Sequence, residues 1–181
     1  MSARVAARDL AVVAIQLGRA PHPFERVVAR CPWGRPAVVE NLPYDATGRP
    51  FPTLFWATCP SLVAAVAALE SRGGVRAFER RAATEPALRL SLRDAVTYER
   101  RRRRALALRC GSGARDRGAL LLTGVGGVRD PARLKCLHAH AAHALARPRY
   151  ALGAAILEAA APLWNEASCC SDAAGTRPTA R

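Results

Sequence analysis

The segment Val27–Glu40, which reads VVARCPWGRPAVVE, decides the fold class of this chain. Two runs that contain β-branched valines, Val27–Arg30 and Pro36–Glu40, lie on either side of the central CPWG sequence. Because valine favours strands and Pro and Gly favour tight turns, this pattern predicts a β-hairpin. The aromatic run Phe51–Thr58 predicts a third strand, which gives a small antiparallel β-meander over about residues 27–58.

The remainder of the chain predicts helices, because apolar residues recur at helical spacing between capping residues. The predicted helices are Asp9–Leu17, Ser61–Glu70, Val75–Arg81, Pro86 to about Arg109, Asp130 to about Ala146 and about Leu152–Leu163. We therefore predict an α+β fold in which the meander packs with several helices. The length of 181 residues fits one domain, predicted over residues 1–168, and the composition of residues 169–181 predicts a disordered C-terminal tail.

The formal net charge is +14, from 28 basic and 14 acidic residues. A charge of this size is typical of proteins that bind nucleic acid, so a basic nucleic-acid-binding protein is one hypothesis. However, 27 of the basic residues are arginines, and with the abundant alanine this indicates the codon bias of a high-GC genome. The run Arg100–Arg104 would encircle a helix, and no aromatic residues alternate with it for base stacking.

No segment of the sequence predicts membrane insertion. The longest uncharged apolar run, Leu62–Leu69, is far too short to cross a membrane, and the N-terminus lacks the pattern of a signal peptide. We therefore expect a cytoplasmic protein whose six cysteines are mostly reduced. Such cysteines serve in the core, as metal ligands or as reactive thiols rather than as a disulfide framework.

The sequence KCLHAH at residues 135–140 is the strongest candidate for a functional site. On a helix that begins at Asp130, the spacing would place Cys136, His140 and His143 along one face. His138 would point to a different side. The alternative is that the thiol and the rings simply face the core, because free cysteine is among the most buried residues.

Two features of this segment suggest catalysis. Cys136 could act as a nucleophile with His138 or His140 as its base, and Cys59 is a second candidate nucleophile. Lys135 is the only lysine in a chain with 27 arginines. Lysine provides a compact ammonium group, or an amine whose pKa can be lowered for catalysis, and arginine does not.

The glycine-rich turn that precedes the segment is a candidate for anion binding. Gly124, Gly126 and Gly127 could direct backbone N–H groups toward a phosphate or a carboxylate, and the N-terminus of a following helix would add a positive dipole. Lys135 would be the charged contact in this site. The glycine pattern is neither that of a P-loop nor that of a dinucleotide-binding fingerprint, and a plain flexible turn is the alternative.

A zinc site is a third candidate. Cys31 and Cys59 each precede a proline at the end of a predicted strand, so the two could lie side by side in one sheet. Together with Cys136 and His140 they would form a tetrahedral set of plausible composition. No CxxC or HxxxH pair supports this set, and packing of the thiols in the core is the alternative.

Four separated blocks of the sequence resemble an actinobacterial family of unknown function. The blocks are Arg30–Val38, Pro50–Trp56, Thr58–Pro60 and Lys135–His140 with its continuation Ala142–Leu145. The resemblance spans about residues 9–169 and implies a high-GC actinobacterial source. The genes of this family tend to lie near septum-formation genes, so the resemblance implies a cell-division protein as a partner.

These observations leave three hypotheses for function. The first is a small cytoplasmic protein with a Cys/His/Lys pocket that binds an anionic small molecule, with thiol-based catalysis. The second is a zinc-stabilised interaction module linked to cell division, and the third is a nucleic-acid-binding protein.

Overall fold

A computed structural model of the protein describes residues 6–110 and 113–173. The elements in chain order are α1 (Ala7–Leu17), β1 (Phe24–Arg30), β2 (Pro36–Asn41), β3 (Phe55–Ala57), α2 (Pro60–Ser71), α3 (Gly74–Thr84), α4 (Pro86–Ala107), α5 (Leu137–Ala146), α6 (Ala151–Ala160) and α7 (Cys170–Ala173). Two short 3-10 segments, Ala119–Leu122 and Val125–Gly127, lie between α4 and α5. The predicted α+β class is confirmed.

The three strands form an antiparallel meander in the order β1-β2-β3, as the sequence predicts. The third strand is shorter than the predicted Phe51–Thr58, because only Phe55–Ala57 pairs with β2. Every residue of β2 is buried. Val39 packs with Val13 of α1 on one face of the sheet, whereas Val38 belongs to the main core on the other face.

Helix α5 lies at the centre of the main core and contacts the sheet, α2, α6 and the Val125–Gly127 segment. Its buried residues are mostly alanines, whose small side chains allow neighbouring backbones to approach closely. Gly153 of α6 lies at such a close approach to α5. A Cβ atom at this position would lie 2.6 Å from the carbonyl oxygen of His140 and 2.7 Å from Cβ of Ala144.

The predicted helix start at Asp130 is wrong, because α5 begins at Leu137. Asp130 instead accepts a hydrogen bond from the Ala132 N–H in a turn. The backbone N–H of Leu134 donates to Glu79 of α3 at 3.0 Å, and that of Leu137 donates to Glu70 of α2. These two carboxylates hold the segment before Leu137 in a non-helical path, and Cys136 has extended backbone angles.

The arginine run of α4 is mostly bound within the protein. Arg102 forms two hydrogen bonds, of 2.7 and 2.8 Å, with the fully buried carboxylate of Glu40, which also pairs with Arg26. Arg103 is buried against Glu99, and Arg100 donates to the carbonyl oxygen of Thr123. Much of the run is therefore a structural feature rather than a solvated basic surface.

At the start of the predicted C-terminal tail, Cys169 is buried and α7 begins at Cys170. Residues 174–181 lie outside the described residues. Within residues 6–110 and 113–173, no helix combines the length and the apolar character needed to cross a membrane.

The substitution Gly153→Ala tests the close contact between α5 and α6. Helix propensity alone would make this change stabilising, but the added methyl group must displace backbone and side chains of α5. We expect the free energy of unfolding to fall by about 1–3 kcal/mol in denaturant titration. Ala154 is the exposed neighbour and serves as the control. The substitution Ala154→Gly should lower the free energy of unfolding by only about 1 kcal/mol, because glycine has the lower helix propensity. A higher melting temperature for Gly153→Ala would contradict the packing.

The substitution Glu40→Gln tests the buried ion pairs of β2. Burial alone would raise the pKa of Glu40, but hydrogen bonds from Arg102 and Arg26 outweigh it and lower the pKa below the ordinary 4.5. The stabilisation of the folded protein by the charge of Glu40 is therefore complete above pH 4.5. It disappears as the pH falls through the lowered pKa of Glu40. We expect Glu40→Gln to reduce stability by about 1–3 kcal/mol at neutral pH and by less in acid.

Glu85→Gln is the matched control, because Glu85 pairs with Arg81 at the surface and the loss there should be far smaller. Urea titrations of both variants between neutral and acidic pH measure the difference. An equal loss for Glu40→Gln at every pH would show that the charge of Glu40 contributes nothing.

Candidate functional site

Three potential metal ligands meet where the end of α2 approaches the start of α5. The ligand atoms of Glu70, Cys136 and His138 all lie within 4.8 Å of one another. The side chains of Glu70 and His138 are 23% and 25% exposed, so a small ion can reach them from solvent. Among the described residues this is the only group of three or more His, Cys, Asp or Glu side chains at such distances.

Both ring nitrogens of His138 have defined neighbours. Its Nε2 lies 3.1 Å from the carbonyl oxygen of Val63, an atom that can only accept a hydrogen bond. Nδ1 faces Glu70 Oε1 at 3.1 Å, and this carboxylate oxygen is likewise an acceptor, so each ring nitrogen lies within donating distance of an oxygen. The Glu70 carboxylate also accepts the backbone N–H of Leu137, which fixes its position at the N-terminus of α5.

The thiol of Cys136 is not activated by its surroundings. Burial raises its pKa, and the negative charge of Glu70 raises it further, while the positive charge of Lys135 only partly opposes both effects. Because the thiolate is the nucleophilic form, this environment works against the predicted role of Cys136 as a free nucleophile. A bound metal ion changes this, since coordination favours the thiolate.

Lys135 directly precedes Cys136 of this cluster in the chain and is exposed.

The glycine turn is held by its own backbone hydrogen bonds. The Gly124 N–H donates to the Val128 carbonyl oxygen, and the Gly127 N–H donates to the Gly124 carbonyl oxygen. These two N–H groups are therefore not available to an anion. Gly126 has a φ of +69°, and a Cβ atom there would lie 3.0 Å from Cβ of Ala139 in α5. The glycines allow the turn to pack against α5.

The other residues of the predicted zinc set lie apart from Cys136. Cys31 is buried in the main core, and Cys59 Sγ lies 3.6 Å from Cys170 Sγ. His140 is fully buried, its Nδ1 lies 2.6 Å from the Tyr150 hydroxyl, and burial lowers its pKa to about 3. Within residues 6–110 and 113–173, no three of Cys31, Cys59, Cys136 and His140 have ligand atoms within 4.8 Å of one another.

A comparison with protein-family models matches residues 27–158 to a family described as "Protein of unknown function (DUF501)". The chain belongs to the DUF501 family. The matched region contains most of the meander together with Glu70, Cys136 and His138, and it ends before Cys169 and Cys170. No curated protein matches the sequence, and no solved structure matches the fold.

Glu70 is a member of the cluster that the sequence does not predict. The one signal for it is that Glu70 is the only charged residue of α2, at the end of an otherwise apolar and small-residue helix. The pairing of Glu99 with His143 at 2.9 Å is likewise not predicted, because these residues are 44 positions apart. Only the three-dimensional structure shows which carboxylate contacts a histidine that is distant in sequence.

The thiols of Cys59 and Cys170 should differ in reactivity. Burial raises the pKa of Cys59 to about 11. Burial also opposes ionisation of Cys170, but hydrogen bonds from Ser61 outweigh it and lower the pKa of Cys170. At neutral pH we expect iodoacetamide to modify Cys170 well before Cys59, as measured by peptide mass spectrometry of timed samples. Ser61→Ala should slow the modification of Cys170, and faster labelling of Cys59 would contradict this assignment.

Proposed function

We propose that the protein binds a zinc ion through Glu70, Cys136 and His138, and that this metal site carries its function. The observation that supports the proposal is the convergence of a thiol, an imidazole and a carboxylate within 4.8 Å. Zinc is bound by these three ligand types, with bonds of about 2.0–2.3 Å. A tetrahedral arrangement needs the ligand atoms roughly 3.3–3.8 Å apart, so a small contraction of the cluster is sufficient.

The hydrogen bonds around the cluster support the same proposal. A histidine that binds a metal usually donates its other ring N–H to a carbonyl or carboxylate oxygen, which fixes the tautomer and the ring orientation. His138 is placed for this arrangement, because with the proton on Nε2 it donates to the Val63 carbonyl oxygen, and Nδ1, which faces Glu70, would then bind the metal. Glu70 is likewise held by the Leu137 N–H.

The choice of zinc follows from the chemistry of the ligands. Calcium and magnesium prefer oxygen ligands, and the cluster offers oxygen from Glu70 alone. A thiolate and an imidazole instead favour zinc among the common metals of proteins. Coordination would also release the proton of Cys136, whose pKa is raised by burial in the metal-free protein.

Three protein ligands leave the fourth position of a tetrahedral zinc ion open to water or to another molecule. Structural zinc sites usually have four protein ligands, whereas catalytic sites keep such an open position. The exposed ammonium group of Lys135 is next to Cys136 in the chain, so it favours an anionic molecule at that position. The proposed function is therefore a metal site that binds a small anion, consistent with Lewis-acid chemistry.

Elemental analysis of the purified protein tests the proposal directly. We expect about one zinc ion per chain in the wild type, and cobalt added to the metal-free protein should give a thiolate-to-cobalt absorption band. Cys136→Ser and His138→Gln should weaken zinc binding by more than the roughly 10–100-fold that changes around a metal site usually cause.

Cys110→Ser is the matched control, because Cys110 is a half-buried thiol that bonds to the Tyr44 carbonyl oxygen and lies outside the cluster. This variant should bind zinc as the wild type does. A wild type with far less than one zinc ion per chain after growth with added zinc, or full zinc content in Cys136→Ser, would exclude the site.

A further inference from the structure

A cavity of about 220 Å³ lies at the carboxyl end of α5, whereas the proposed zinc ligands lie at its amino end. It is formed where α5 meets α4 and the beginning of α6. The polar side chains that line it come from all three regions: Ser91, Asp94, Tyr98, His143, Arg147, Arg149 and Tyr150.

His143 is fixed in the wall of this cavity. Its Nδ1 donates to Glu99 Oε1 at 2.9 Å, and the Glu99 carboxylate is itself buried and paired with Arg103 at 2.5 Å. Since Nδ1–H is held by a carboxylate, the unprotonated nitrogen of the neutral ring is Nε2. Within the described part of the chain, Nε2 has no hydrogen-bond partner, and the His143 side chain is 2% exposed. It is therefore left to a ligand in the cavity.

Two guanidinium groups lie at the rim of the same cavity. The Arg147 guanidinium lies 4.3 Å from the centre of the Tyr98 ring, a cation–π contact that orders this side chain. Arg149 is exposed two residues later in the loop between α5 and α6. Neither arginine forms an ion pair with a carboxylate in residues 6–110 and 113–173. Guanidinium groups bind phosphate and carboxylate oxygens through parallel hydrogen bonds.

We propose that this cavity is a binding site for a small phosphate monoester. Arg147 and Arg149 bind the phosphate oxygens, and His143 Nε2 accepts a hydrogen bond from the ligand. Asp94 also lines the cavity, so the ligand carries a donor in addition to its phosphate, either a hydroxyl or an ammonium group. The volume is below the roughly 300–1,000 Å³ of typical drug-sized pockets, which restricts the ligand to a few atoms beyond the phosphate.

Binding of three probes to the full chain tests this site: inorganic phosphate, glycerol 1-phosphate and phosphoethanolamine. Calorimetry should show that both esters bind more tightly than phosphate, because each adds a donor for Asp94. The double variant Arg147→Gln/Arg149→Gln should weaken binding by at least about tenfold, since a hydrogen bond to a charged group contributes that much or more. The matched control is Arg72→Gln/Arg76→Gln, which removes the same charge from exposed positions at the α2–α3 junction.

The chain has four histidines, so the imidazole signals can be assigned by NMR, and that of His143 should move on addition of each probe. A chelator would remove anion binding at the proposed zinc site, so the movement of the His143 signal, which reports on the cavity, should persist in chelator-treated protein. The proposal is overturned if the two double variants weaken binding equally, if the His143 signal does not move, or if the wild type binds no probe. Loss of the His143 response on metal removal would instead place the anion at the zinc site and would also overturn it.

Discussion

The buried ion pair between Glu99 and Arg103 is the interaction on which the arrangement of α4, α5 and the surrounding loops depends. Both side chains are 1% exposed. Arg103 also donates to the carbonyl oxygens of Pro52, Thr123 and Gly124, so one guanidinium fixes the chain before β3 and the glycine turn. The second oxygen of Glu99 accepts the hydrogen bond from His143 and thereby fixes α5. Removal of either charge would leave the other uncompensated in the core, which typically costs about 3–5 kcal/mol.

This network explains why both proposed sites lie on α5. The contact between Glu99 and His143 sets the rotation of the helix, and the close approach of Gly153 sets its distance from α6. With the helix fixed in this way, His138 is directed toward the end of α2 at one end of α5. At the other end, His143 lines the cavity beside the α5–α6 loop. Burial excludes His140, which lies between them in sequence, from contact with solvent.

The local parts of the fold were predictable from the sequence, and the parts decided by distant contacts were not. The valine runs and the CPWG turn predict β1 and β2 because strand propensity and turn chemistry act over a few residues. Asp130-Pro131 is an equally strong local signal, but Glu70 and Glu79 bind the backbone N–H groups that a helix from Asp130 would use. As a result Cys136 lies before the helix rather than on it. Its neighbours are His138 and Glu70 instead of His140.

The proposed zinc site gives a physical reason for a lysine, rather than an arginine, at position 135. Arginine presents a planar fork that binds a carboxylate through two hydrogen bonds, and the pairing of Arg102 with Glu40 shows this in the same protein. In the proposed zinc site, an arginine next to Cys136 would compete for a carboxylate ligand in the same way. Lysine is a compact charge on a flexible stem and makes no such bidentate contact. On this proposal, a lysine at position 135 would supply positive charge for an anionic ligand and leave the Glu70 carboxylate to the metal ion.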